Sequence, residues 1–227
     1  MTTKKSLSIL LVLCLILTTL VGCNSNNETE EELNEADSKA YEYEQAQKAY
    51  AELNEAAELC EYAMDVVYGA WYFAMYDAES GSADYKNYDG FEKKTGLTYD
   101  EIEAAMASLG LSYDDSFYLT DFNYAVKIAQ ICLNNKNIYE DARAKVENAK
   151  KYLKEVTDTY ADYTAYPTLK QYYSEVSSYL EFAENPSGSF SQLKTTIDNY
   201  ETNIRTYKND LSFTFEWLYI LMCNLLN

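Results

Sequence analysis

The sequence predicts an all-α protein: an elongated, mostly antiparallel bundle of three long helices and one shorter helix, with a small helical and loop cap at its distal end. Three observations lead there. Only seven glycines and two prolines occur in 227 residues, too few for the turns that a strand-rich chain requires. Apolar residues recur at alternating steps of three and four over long stretches, which is the spacing of one helix face. The glycines after the N-terminal segment also collect, with Gly81, Gly90, Gly96 and Gly110 in a single region.

The first element is not part of that bundle. Lys4 and Lys5 precede an apolar stretch from Leu7 to Leu20, and small residues close it, the layout of a secretory signal. The stretch is shorter than the roughly 20 apolar residues of a spanning helix. Leu20, Val21, Gly22 and Cys23 then resemble the lipobox of bacterial lipoproteins. That resemblance covers residues 1–23 and implies a diacylglycerol thioether on Cys23, with cleavage just before it. Two acyl chains suffice for stable anchoring where one gives only reversible binding. The expected organisation is a signal peptide over 1–22, a lipidated cysteine and short tether over 23–32, and one helical domain over 33–227. Localisation follows: extracytoplasmic and lipid-anchored to the cell membrane.

The first bundle helix carries thirteen apolar or aromatic seam positions between Leu33 and Ala74, among them Tyr43, Leu53, Ala57, Cys60, Met64, Val67 and Trp71. Its many alanines let a neighbouring helix approach closely. A second seam runs through Ala125, Ile128, Cys132, Asn135, Tyr139, Ala142, Val146, Ala149, Leu153, Val156, Tyr160 and Tyr163. Asn135 is its one polar member and reads either as a register device or as part of a break, since Asn137 and Glu140 form a capping pair. Pro167 ends this helix. A shorter helix follows through Leu169, Tyr172, Val176, Tyr179 and Ala183. Ser189 and Gln192 then cap a last helix that bears Phe190, Leu193, Ile197, Ile204 and Leu211. Its end, 217–226, is apolar nearly all round and reads as core, with contact with the membrane surface or a partner helix as the alternative.

Residues 77–116 read as a cap inserted between the first two long helices. Within it Thr98 and Glu101 form a capping box, Ile102, Met106 and Leu109 share one face, and Gly110 suits a left-handed stop. The remainder reads as irregular loop.

Charge and composition exclude several functions. There are 18 basic and 37 acidic side chains, and loss of the signal removes two of the lysines. So acidic a body is repelled by phosphate backbones, which argues against nucleic acid as a partner. Histidine is absent, removing the commonest general base and metal ligand. Aligned as a calcium loop on Gly90, the first and last ligand positions fall on Tyr85 and Gly96, so that match fails. No catalytic residue, metal or cofactor is expected, and the chain reads as a non-enzyme. Cys60, Cys132 and Cys223 make no even framework and read as buried thiols.

Tyrosine is the outlier, at 24 residues. On the seams it fills wide helix contacts. Off the seams, Tyr72, Tyr76, Tyr85, Tyr88, Phe91 and Tyr118 gather by sequence at the distal end and form the candidate recognition surface, with Tyr85 and Tyr88 the foremost candidates for direct contact. The function expected is a membrane-anchored binding or scaffold module of the cell envelope, whose partner is an envelope protein or a glycan. A glycan-capture lipoprotein and a carboxylate-based hydrolase are the alternatives.

Overall fold

The computed structural model describes residues 28–77, 86–157 and 165–225, with side chains over 38–76, 87–112, 114–156 and 165–216. Among the described residues every regular element is helical. The lipobox and the tether as far as residue 27, Tyr85, Tyr160, Tyr163, and the side chains of the apolar C-terminal segment with Cys223 lie outside what is described. The chain divides into two compact units, 1–41 and 42–227. In the first, 28–41 is helical, with Ala40 and Tyr41 exposed, so burial along the first seam begins beyond them.

The elements are α1 (Glu28–Tyr72), a π turn (Phe73–Asp77), α2 (Lys86–Thr95), α3 (Tyr99–Ser108), a 3-10 segment (Tyr113–Thr120), α4 (Phe122–Asn135), α5 (Ile138–Thr157), α6 (Tyr166–Glu184) and α7 (Phe190–Leu225). In the second unit α1 contacts α2, α4, α5, α6 and α7. Lys145 on α5 pairs with Glu52 and Glu55 at 3.3 and 2.6 Å, and Lys136 donates to the Tyr62 hydroxyl at 3.1 Å, so α4–α5 descends as α1 ascends. The Tyr43 hydroxyl donates to the Phe215 carbonyl, the Tyr50 hydroxyl to that of Lys208, and Tyr68 stacks on Phe190, so α7 also opposes α1. Tyr172 with Tyr207 and Tyr179 with Tyr200 set α6 against α7 in turn.

This crowding explains a difference from the sequence reading. The expected seam is buried from Tyr43 to Trp71 apart from half-buried Tyr50, but it is not the only buried row. Ala49, Ala56, Ala63 and Ala70 recur every seven residues and are all fully buried. A helix covered on more than one side needs more than one apolar row, and alanine in the second allows α1 a close approach to its neighbours.

The second long helix is broken. Lys136 and Asn137 donate their backbone N–H groups to Cys132 and Asn134, Asn137 sits at φ 58°, and Asp141 N–H returns to the Asn137 carbonyl. Asparagine tolerates this left-handed geometry better than most residues, so one residue both stops α4 and starts α5. Asn135 is exposed, which excludes a buried register role. Ala125, Ile128, Cys132, Tyr139, Ala142, Val146, Ala149, Leu153 and Val156 are buried on both sides of the break.

The inserted region is more helical than expected. The segment from Lys86, expected as loop, is α2, and Gly96 at φ 69° ends it while donating to the Glu92 carbonyl. The Thr98 and Glu101 capping box is formed on α3 in both directions, and Gly110 takes φ 74° beyond its end. Partial burial works against the Glu101 charge, yet the Thr98 N–H and the Lys136 ammonium at 2.9 Å hold its carboxyl below the usual range. Gly69 lets this region dock: an added Cβ would strike the Lys94 carbonyl oxygen, so the end of α2 rests directly on the α1 backbone.

Candidate recognition surface

Four of the six candidate aromatics occupy places other than those expected or outside the description. Tyr88 is 1% exposed and Phe91 fully buried, so neither can touch a partner; both are core residues of the cap. The Tyr88 hydroxyl donates to Met106 Sδ at 3.0 Å, and Phe91 meets Phe73 edge to face at 5.7 Å. The reason is α2: once 86–95 is helical, Tyr88, Phe91 and Thr95 share the face turned to α1 and α3. Tyr118 is half-buried and stands in a separate group, 4.2 Å from Phe117 and 4.5 Å from Tyr124 between ring centroids.

Tyr72 and Tyr76 do come together, and the structure adds two residues that the sequence reading left on a seam or unused. Tyr68, Tyr72 and Tyr76 follow one another at four-residue spacing, with centroids 6.3 and 5.1 Å apart. Phe190, the first residue of α7, touches all three at 5.0, 6.1 and 5.6 Å. Its position is set by the Ser189 and Gln192 capping box, formed through bonds of 2.8 and 3.3 Å. Trp71 forms the buried floor against Phe122 at 4.3 Å. Tyr76 is 59% exposed and Met75 49%, whereas Tyr68, Tyr72 and Phe190 are half-buried. The four-residue repeat was visible in the sequence; Phe190, 114 positions beyond Tyr76, carried no local signal of its role.

Two lysines border these rings. Lys94 Nζ lies 4.4 Å from the Tyr72 centroid and Lys194 Nζ 5.9 Å from that of Tyr68, within cation–π range. Lys194 also holds both Asp198 oxygens at 3.1 Å. The surface therefore exposes the Tyr76 ring, while Tyr68 and Tyr72 are partly covered by Phe190 and the two lysines.

Below this surface, Glu61 and Asp65 on α1 face Glu201 on α7. Burial raises the pKa of all three; the Lys208 charge opposes this at Glu61 while Glu58 and Asp65 add to it, and Asp65, Glu61 and Asp198 add to it at Glu201. The two described core thiols, Cys60 and Cys132, are free, buried and each pushed up to about 12, chiefly by burial, which leaves them unreactive at neutral pH. A shallow groove lies elsewhere, lined by Pro167, Lys170, Gln171, Ser174, Glu175 and Tyr207. Among the described residues no group of three or more acidic, cysteine or histidine side chains is placed to hold a metal ion, and no helix is long and apolar enough to cross a membrane.

The chain matches no protein family, no curated protein and no solved structure.

Proposed function

We propose that this protein is an extracytoplasmic lipoprotein, anchored through Cys23, whose helical body is a non-enzymatic binding module of the cell envelope. The finer architecture belongs to the same reading: an antiparallel bundle that presents, beside its inserted cap, a rigid surface for an envelope protein or a glycan. The anchor rests on Leu20, Val21, Gly22 and Cys23 following a basic start and a short apolar run. Binding rests on one observation, the partly exposed tyrosine row packed on Phe190. Aromatic side chains left in water on an ordered scaffold are the residues from which interfaces draw most of their energy.

One experiment addresses both halves. Cells expressing the wild type, Cys23→Ala, or Tyr72→Ala with Tyr76→Ala are fed a clickable fatty acid and then crosslinked. Cys23→Ala should lose the acyl label and accumulate precursor, whereas the tyrosine variant should keep the label and lose most crosslinked product. A Cys23→Ala protein that still acquired lipid would refute the anchor. Undiminished crosslinking of the tyrosine variant would move recognition off this surface.

A further inference from the structure

We propose that the groove between α1 and α7, where Glu58, Glu61 and Asp65 stand across from Glu201 and Asp198, is a binding site for a linear aliphatic polyamine. It is separate from the tyrosine row and independent of what that row binds. Helix register builds it. Three ties, Tyr43 to Phe215, Tyr50 to Lys208 and Tyr68 to Phe190, hold α1 and α7 antiparallel in one constant register. That register sets Glu58 level with Tyr200 and Glu61 level with Ile197, so Glu201 and Asp198 flank the same two turns. Glu58, Glu61 and Asp65 follow at steps of three and four, share one face of α1 and span about 10 Å of its axis. Glu61 and Glu201 are half-buried, whereas Glu58, Asp65 and Asp198 are exposed, so the rim of the groove is open to a ligand.

A second observation lies at the floor of the groove. Tyr179, on α6, is fully buried with its ring stacked on Tyr200 at 4.8 Å, and its hydroxyl has no hydrogen-bond partner. After burial itself, the charges that act on that hydroxyl are those of Glu201, Cys60, Glu61 and Asp65, three of them the groove's own carboxylates, so it points into the acidic site. A buried hydroxyl left unpaired is costly, and a carboxylate drawn into place by a bound cation can accept from it. The acids also lack a matching positive charge. Among the described residues Glu61, Asp65 and Glu201 are in no ion pair; Lys194 is held by Asp198 at 3.1 Å, and Lys208 acts on Glu61 only from farther along the groove. A metal ion fits worse, because among the described residues no three such groups are placed to hold one. The matching charges must instead be spread along the groove, each with several N–H donors. Ammonium groups joined by short methylene chains meet both requirements, and the half-buried Tyr200 ring suits a cation or its methylenes. A net charge of −19 attracts such a polycation and repels anionic ligands.

The test titrates the detergent-solubilised full chain with butylamine, putrescine, spermidine and spermine at neutral pH and fixed ionic strength, followed by calorimetry and NMR. Affinity should rise from the monoamine to the triamine as more ammonium groups find carboxylates. The triple variant Glu61→Gln, Asp65→Asn and Glu201→Gln should weaken spermidine binding by about tenfold, the sum of three partly exposed charge pairs. A control triple, Glu103→Gln, Glu140→Gln and Glu155→Gln, removes the same charge from exposed positions elsewhere and should bind almost as the wild type does. Tyr179→Phe, which deletes only the hydroxyl, should weaken binding by about three- to tenfold. Melting curves establish that each variant is folded. Failure of every amine to bind overturns the proposal, and so does an equal loss in both triples, which would make binding a matter of net charge alone. Displacement of spermidine by an equal concentration of magnesium would make the groove a metal site instead. A tri-lysine peptide that binds where the free polyamines do not would assign it to the basic side chains of a protein and overturn the polyamine.

Discussion

The bundle and the cap bury aromatic and apolar side chains equally well, but they were unequally legible. Along α1, positions spaced three and four apart from Tyr43 to Trp71 are buried almost without exception. In the cap, Tyr88 and Phe91 looked like loop-tip rings and are core. The difference lies in how local the determining information is. A long periodic helix announces its buried face because any packed partner must meet that face. A ten-residue helix between glycines has too few turns to do so, and its buried face is decided by what it docks against, here Phe73, Gly69 and α3.

Breaking the bundle side of that contrast should cost most. Ala57 is fully buried beside the alanine row, so Ala57→Asp places an unpaired charge in a close helix contact. A loss of more than about 4 kcal/mol, or of cooperative unfolding altogether, is expected in a denaturant melt. An unchanged midpoint would mean that this face of α1 is open. On the cap side, Phe91→Ala should cost about 3–5 kcal/mol, the range for emptying a packed aromatic site. A nearly unchanged melt would return Phe91 to the surface.

Gly69→Ala sharpens the comparison because it acts at the junction. The added methyl collides with the Lys94 carbonyl, backbone that cannot swing aside, so a cost of about 1–3 kcal/mol is expected. Hydrogen exchange should quicken in α2 and α3 while α6 and α7 keep their protection. Equal loss everywhere would show that cap and bundle unfold as one.

Titration gives a smaller effect of opposite sign to ordinary acid denaturation. The folded pKa values of Glu61, Asp65 and Glu201 are raised, so the native state takes up protons before the unfolded chain. Above those values their charges oppose folding. As pH falls from neutral toward the ordinary values of 4.5 for glutamate and 3.8 for aspartate, stability should rise. Below that window the lowered pKa of Glu101 works the other way, and its contribution is lost. Replacing Glu61, Asp65 and Glu201 with their amides should flatten the rise in a pH series of thermal melts; an unaltered series would place its origin elsewhere. Smallest of all, Tyr76→Ala should change stability by no more than about 0.5 kcal/mol, because a side chain 59% exposed contributes little to the core. A melt lowered by several degrees would make Tyr76 a packing residue and remove it from the recognition surface.

The all-helical class, one buried row on each long helix over the described residues, and the Thr98, Ser189 and Gly110 helix signals were legible in the sequence alone. All of these are settled by residues within a few turns of one another, through spacing and backbone propensity. The sequence left the break at Asn134–Asn137 open between two readings, because a kink and a continuous helix present the same apolar positions to a neighbour. Only the tertiary structure decided that Asn137 turns left-handed, that a second row of alanines is covered, and that Tyr88 and Phe91 face inward. It also brought Phe190 beneath Tyr68, Tyr72 and Tyr76. Apart from the Asn137 turn, which is closed by local hydrogen bonds, each of these depends on a contact between residues far apart in the chain, where burial is set by the surface that arrives and not by the local pattern that waits for it.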